Sequence, residues 1–217
     1  MTDTPPVRAP YLLAPSCDPG NDATAEIWRS LAVAVDSAML GDRRETEPER
    51  PVARSLLVTS VRRAVPAVAC RVAVAVAELG WSTCLVDGAA RLTDDESSDE
   101  GLAGWFAEEC PANIRFTETD IARLTLVRGG DRWQEIAGTL RIDRVRALTD
   151  HLSDRCRWIV WAGPPLVSAA GMAVAGGVDA VLLAVTPGRV TREDVRRARA
   201  AVASVHGNLL GTVLSGD

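Results

Sequence analysis

Ser55-Leu-Leu-Val-Thr59, then Ser60-Val61-Arg62-Arg63-Ala64-Val65, then Pro66-Ala-Val-Ala-Cys-Arg-Val-Ala-Val-Ala-Val-Ala-Glu-Leu79 is the stretch on which the fold turns. Its first five residues are a short apolar run, the pattern of a strand buried on both faces. Its last fourteen place Val68, Val72, Val76 and Leu79 along one helical stripe. Pro66 stands in the first turn, where its missing N–H costs least, and Gly80 stops the helix. A strand, a brief turn and a helix in this order open a parallel α/β unit.

The same alternation continues in both directions. Residues 1–23, rich in proline and polar side chains at the start, are expected to be a flexible tail. A helix is predicted over 24–40, with Ile27, Leu31, Val35 and Ala38 at helical spacing and Asp22 or Thr24 as N-cap. Residues 41–54 read as a charged, proline-containing linker inside the domain. Downstream, Leu85-Val86-Asp87 is the second strand, 93–100 an acidic loop, 101–109 a short helix and 124–127 the third strand. A helix over 141–157 presents Ile142, Val145, Leu148 and Leu152 on one face. Strands at 158–161, 180–185 and 209–214 follow. Between the last two, Thr191-x-x-Asp194 is a variant capping box that opens a helix with Val195, Ala198, Val202 and Val205 inward. Near-continuous apolar strands alternating with amphipathic helices predict a single doubly wound α/β domain over 24–217, its sheet mostly parallel and covered on both faces.

Residues 159–178 carry no charge and are long enough to cross a bilayer. Pro164-Pro165, Gly171 and Gly176-Gly177 interrupt them, so strand, loop and buried helix is the better reading.

Composition removes several functions. All 24 basic residues are arginine and none is lysine, a bias that a GC-rich genome explains. The net charge of −5 gives no bulk attraction to nucleic acid. Five separated cysteines with no C-x-x-C, and only two histidines, argue against a disulfide scaffold or a zinc site. Cys70, Cys84 and Cys156 lie in apolar patterns and are expected in the core. Met1 to Pro10 has no apolar segment of signal-peptide type, which with the cysteines points to a reducing, cytoplasmic setting.

The order of six motifs carries more. Glu26-Ile-Trp-Arg-Ser-Leu31, a strand ending Val58-Thr59-Ser60, Leu85-Val86-Asp87, Leu126-Val127-Arg128-Gly129-Gly130, Ile159-Val160-Trp161-Ala162-Gly163-Pro164-Pro165 and Leu210-Gly211-Thr212-Val213-Leu214 follow one another. In this order and spacing, over roughly residues 24–215, the chain resembles the cytoplasmic ATPase domain of bacterial tyrosine kinases of capsule and exopolysaccharide assembly. That family belongs to the wider MinD/ParA-type group with a deviant Walker A motif. The resemblance implies a P-loop NTPase-like fold.

It also implies chemistry that these residues do not carry. The family's glycine-rich phosphate loop, ending in Gly-Lys-Ser/Thr, corresponds here to Ser60 through Val68. That stretch has no glycine to bend backbone N–H groups around a phosphate, no lysine, and no hydroxyl for Mg²⁺ at the expected place. Pro66 removes a helix N-terminal N–H that would face an anion. The Asp-x-Asp-x-Arg motif reads Asp87-Gly88-Ala89-Ala90-Arg91, so one carboxylate of two remains, with Arg91. The Walker B-type aspartate falls on Ala162, the aspartate after Pro-Pro falls near Gly171, and the base-reading asparagine falls on Ser215. A charge-assisted phosphate contact is worth about 1.5–3 kcal/mol, so losing three costs on the order of 10³-fold or more in affinity. The family's C-terminal tyrosine cluster has no counterpart: the one tyrosine in the sequence is Tyr11.

These departures predict a catalytically inactive, kinase-like module that regulates or scaffolds exopolysaccharide or capsule assembly. No cofactor or metal is then expected. The partners the resemblance implies are a polysaccharide chain-length or export membrane protein, a kinase paralogue, or further copies of the chain, with no nucleic acid. Its place would be the cytoplasm, reaching the inner membrane through a protein partner. The alternative is an active kinase that binds ATP and Mg²⁺ at a remodelled site built on Arg62 and Arg63, which stand at the correct loop and whose guanidinium groups suit phosphate. Otherwise these two are a solvated loop pair, and Asp87 is a relic or caps the next turn. A MinD/ParA-like positioning factor is a third reading. Glu26 and Arg29 match two positions of the family's Glu-x-x-Arg-x-x-Arg self-association helix, whose third position is Ala32. With Trp28 they are candidate partner-binding residues, unless Glu26 and Arg29 simply pair with each other.

Overall fold

The computed structural model describes residues 22–41, 53–89, 92, 101–107, 114–130 and 132–215. The strands are β1 (Arg54–Thr59), β2 (Thr83–Val86), β3 (Phe116–Glu118), β4 (Leu124–Val127), β5 (Trp158–Ala162), β6 (Ala180–Val185) and β7 (Leu209–Leu214). Among the described residues they form one sheet in the order β3-β4-β2-β5-β1-β6-β7. All pairings are parallel except β3 on β4.

The helices are α1 (Asp22–Gly41), α2 (Pro66–Glu78), α3 (Leu102–Ala107), α4 (Trp133–Ile136, continuing into a 3-10 turn at Ala137–Thr139), α5 (Ile142–Ser153), α6 (Ala169–Gly177) and α7 (Arg192–Ser204). They cover both faces, as expected for a doubly wound α/β domain. Strand alternation sorts the core into two layers. Leu56 and Val58 of β1 join α1 and α2 on one face, whereas Leu57 joins α3, α5, α6 and α7 on the other. Trp158 and Trp161 are three residues apart on β5 and therefore fill opposite layers, both fully buried. Burying a large apolar side chain contributes about 1.5–3 kcal/mol relative to leaving it exposed, so the unbroken burial of β1 makes it the anchor of the sheet.

The stripes read from the sequence hold in part: of the predicted residues, Leu79 at the end of α2 and Ile27 and Ala38 of α1 are exposed, and α1 buries Ala32 and Met39 beside Val35. Val145, Leu148 and Leu152 are the buried face of α5. Thr191 and Asp194 make the full reciprocal capping box at the start of α7. α6 is apolar nearly all round and is correspondingly buried. A Cβ on Gly177 would stand 2.6 Å from Val145 Cβ, so glycine there lets α5 and α6 close on each other. The uncharged segment at 159–178 divides into β5, a loop and α6. No helix among the described residues is long and apolar enough to cross a membrane.

Two polar locks hold β1, and neither was legible beforehand. Asp179, just ahead of β6, accepts hydrogen bonds from Ser55 N and Ser55 Oγ, both at 2.8 Å; Ser55 Oγ in turn accepts from Asp179 N at 2.9 Å. Arg54 pairs with Asp36 of α1, and its guanidinium lies 5.6 Å from the Trp158 ring centroid. The structure also adds elements that periodicity did not reveal. β3 is three residues long, and α4 with its 3-10 turn is too short to show a repeat. Several predicted ends move: the helix expected over 141–157 is shorter, 142–153, and β2 begins two residues earlier, at Thr83, and stops before Asp87. Cys70, Cys84 and Cys156 are buried, as predicted.

Candidate functional site

β1 lies where the chain order reverses: β2, β4 and β5 were laid down to one side of it, β6 and β7 to the other. In open α/β sheets the crevice beyond the carboxyl end of such a strand is where ligands bind. The turn Ser60–Val65 occupies that position, joined by Asp87 after β2, Ala162 at the end of β5, and Thr186 after β6.

The turn is closed onto its neighbour. Thr59 Oγ1 donates to Pro164 O at 2.7 Å. Leu166 N donates to Ser60 O at 2.9 Å and Val167 N to Val61 O at 3.3 Å, so the β5–α6 loop is strapped along the first residues of the turn. Val61 and Leu166 are both buried in the same apolar layer. At the entrance to α2, Pro66 is in the first turn and Val65 gives no side-chain cap. Val65 O accepts from both Val68 N and Ala69 N. The carbonyls of Ser60, Val61 and Val65 thus all accept from the protein's own backbone N–H groups.

Both arginines of the turn reach across to the β6–α7 side. Arg62 Nη2 donates to Asp194 Oδ1 at 2.9 Å, with 68% of the arginine side chain and 10% of the aspartate exposed. The Arg62 guanidinium, followed by the Thr191 backbone N–H and hydroxyl, holds the Asp194 carboxyl down at about 2. Arg63 Nη2 donates to Thr186 Oγ1 at 3.3 Å. The two arginines predicted as an anion-binding or solvated pair are thus brought together at the expected crevice and bound to protein groups.

Asp87 is 1% exposed and its Oδ2 accepts from Leu92 N at 2.9 Å, the geometry of a side chain that caps the turn after its strand. Gly88 follows against Trp161: a Cβ there would be 3.0 Å from the Trp161 ring and 3.3 Å from Ala162 O. Trp133 Nε1 donates to Gly88 O at 2.8 Å, and Gln134 Nε2 reaches Ala89 O at 3.5 Å. Sequence reasoning missed Trp133, whose indole seals this turn; only its size and lack of a periodic context marked it. Ala162 is buried opposite Val58 in the sheet. Gly171, near which the kinase family keeps an aspartate, has no room for one: a Cβ would stand 2.2 Å from Pro165 O. Arg91 lies outside the described residues. No group of three or more His, Cys, Asp and Glu side chains that could hold a metal is present among the described residues.

The candidate partner helix is anchored differently from the simple expectation. Arg29 Nε pairs with Glu78 Oε2 of α2 at 3.1 Å, not with Glu26, which is exposed. Trp28 is half-buried against α2, with the Arg71 guanidinium 5.5 Å from its ring centroid. Two of the three residues therefore tie α1 to α2, while the large apolar side chains that α1 exposes are Ile27 and Val33.

No protein-family profile matches the sequence, and no curated protein matches it. Solved structures do. The BceF tyrosine kinase domain superposes with a TM-score of 0.75 at 19% identity, covering 93% of this chain and 81% of that one. The kinase domain of the Escherichia coli tyrosine kinase ETK gives 0.74 at 19%, covering 100% and 84%. The Pyrococcus furiosus cell division ATPase MinD gives 0.62 at 17%, covering 75% and 71%. The chain has the fold shared by bacterial tyrosine kinase domains and MinD-type ATPases.

Proposed function

We propose that this chain is a catalytically inactive, kinase-like binding module that regulates or scaffolds an exopolysaccharide or capsule assembly machine. The observation that carries the reading is the strap of Leu166 N and Val167 N on the carbonyls of Ser60 and Val61, which packs the β5–α6 loop along the start of a turn that has neither the glycines nor the lysine of a phosphate loop. The sealed position at Gly171 supports it, as do alanines at 89 and 162 where the kinase family keeps carboxylates. Its partners are a membrane-bound chain-length or export protein, an active kinase paralogue or a further copy of itself. It works in the cytoplasm without ATP or Mg²⁺, near the inner membrane when its partner is there.

The exposure of Arg62 favours one rival, a remodelled phosphate site that uses Arg62 and Arg63. Titration with ATP, with and without Mg²⁺, separates the two. A ligand that binds only the native state raises its melting temperature; the inactive reading expects no shift at millimolar ATP and no labelling from γ-phosphate-labelled ATP. Micromolar binding with turnover, abolished when both arginines become alanine, would establish the rival.

A further inference from the structure

Helix α7 turns a stripe of arginines to solvent. Its inner face is fixed by Ala198 and Val202, packed in one layer with α5 and α6. Arg192, Arg196 and Arg199 stand at i, i+4 and i+7 on the side away from that layer, and all three are exposed. The stripe runs about 10 Å along the helix axis. Arg192 and Arg199 have no hydrogen-bond or ion-pair partner among the described residues. Arg196 is 3.9 Å from Glu193, a carboxylate that Arg197 holds more closely at 3.2 Å. In a chain of net charge −5 this face is a local reversal of sign.

We propose that this stripe docks the acidic 93–100 segment of a second copy of the chain. That segment carries Asp94, Asp95, Glu96, Asp99 and Glu100 and no basic side chain, and guanidinium groups pair with carboxylates through two parallel hydrogen bonds. Fully extended, its length of about 27 Å exceeds that of the stripe. The copy that supplies it is not the one that receives it. Both flanks of the segment are fixed: Leu92 N donates to Asp87 after β2, and Gly101 abuts Arg128 O after β4, to which Leu102 N donates. Held at both ends, the segment reaches out and back by about 15 Å. β6, beneath α7, is three strand spacings from β2 and four from β4, about 14 and 19 Å. The stripe lies beyond that, across a helix of about 10 Å diameter. The contact is therefore head-to-tail, so an assembly grows or closes into a ring. An anionic membrane fits less well, because none of the large apolar side chains exposed among the described residues belongs to α7. The contact is independent of whether the crevice holds a nucleotide.

Sedimentation velocity of the full chain over a concentration series tests it. The average sedimentation coefficient should rise with concentration at about 0.01 M salt, where charges act over about 30 Å, and return to the monomer value at about 1 M, where they act over about 3 Å. Arg192→Glu/Arg199→Glu alone and Asp95→Arg/Asp99→Arg alone should each be monomeric at low salt. An equal mixture of the two should associate again, because each then offers the other a complementary pair. Arg132→Glu/Arg141→Glu makes the same change of charge at exposed arginines elsewhere and should leave association unchanged. A wild-type chain that stays monomeric at low salt overturns the proposal, as does a mixture of the two charge-reversed variants that fails to associate. Association lost equally in the Arg132/Arg141 control also overturns it. So does a monomer that binds phosphatidylglycerol vesicles through Arg192 and Arg199 without associating with itself.

Discussion

Gly171→Ala tests how the position near the kinase family's aspartate came to be sealed. In most helices this change is stabilising by about 0.4–1 kcal/mol, because alanine has less backbone freedom to lose. Here the new Cβ would lie 2.2 Å from Pro165 O and 2.9 Å from Leu166 Cα. Ordinary carbon–oxygen contact begins near 3.3 Å, so the β5–α6 loop must retreat by about 1 Å. It is not free to do so: Thr59 Oγ1 and Ser168 Oγ both hold that loop at 2.7 Å, through Pro164 O and Pro165 O, and Leu166 N is bound to Ser60 O. Overpacking of this kind costs about 1–3 kcal/mol and exceeds the entropic gain. A net loss of about 2 kcal/mol is expected, read as a lower urea midpoint and a melting temperature down by about 4–8 °C. Gly138 is the control. It lies in the 3-10 turn with nothing within 4 Å of its added Cβ, so Gly138→Ala should change stability by less than about 0.5 kcal/mol. Gly171→Ala as stable as the parent would refute the argument that this position is closed by backbone.

Two further perturbations probe the frame around the crevice. Asp194 has its carboxyl lowered from 3.8 to about 2 in the fold; a depressed carboxylate stabilises above its unfolded pKa, so stability should begin to fall as the pH drops below about 4 and this contribution should be gone once it passes below about 2. The Arg62→Ala variant should show a weaker loss over that window in acid unfolding followed by circular dichroism, and an unchanged profile would show that Arg62 is not the cause. Ser55→Ala removes a buried hydroxyl that both donates to and accepts from Asp179, and should cost about 1–3 kcal/mol in urea unfolding; a neutral result would mean that the β1–β6 lock is replaced by water.

The sheet could be read from the sequence because its central strands are buried on both faces and so write unbroken apolar runs, as in Ser55 to Thr59 and Trp158 to Trp161. Helix α7 announced itself by Thr191 and Asp194, a local signal complete within four residues. β3 could not be read: Phe116-Thr-Glu118 is an edge strand fixed by antiparallel pairing to β4, and that partner is distant information. The same holds at the crevice. Missing lysine, glycine and carboxylates were visible as identities, but their replacement by contacts was not. Trp133 reaching Gly88 O spans 45 positions, and Arg62 reaching Asp194 spans 132. Arg29 shows the converse error, since helical spacing offered Glu26 as its partner whereas packing of α1 on α2 supplied Glu78.

If the crevice is closed to nucleotide as proposed, magnitudes indicate which part of it would resist most. For a phosphate to recruit Arg62, the arginine must leave Asp194, but with 68% of its side chain exposed such a pair contributes only about 0–1 kcal/mol. That barrier is small beside the 1.5–3 kcal/mol of one charged hydrogen bond. The backbone strap is different in kind. Opening it breaks the bonds from Leu166 N and Val167 N and the one from Thr59 Oγ1 to Pro164 O, and it lifts Val61 and Leu166 out of a buried layer. Those two side chains alone are worth about 3–6 kcal/mol at about 1.5–3 each. On the proposed reading, the larger obstacle to a nucleotide is therefore the packed backbone and not the arginine charge. Replacing Arg63 or Ala64 by lysine, without lengthening the turn and freeing Ser60 and Val61, should then leave ATP affinity undetectable by calorimetry, and a gain of micromolar binding from that single change would show that the strap yields more easily than its contacts imply.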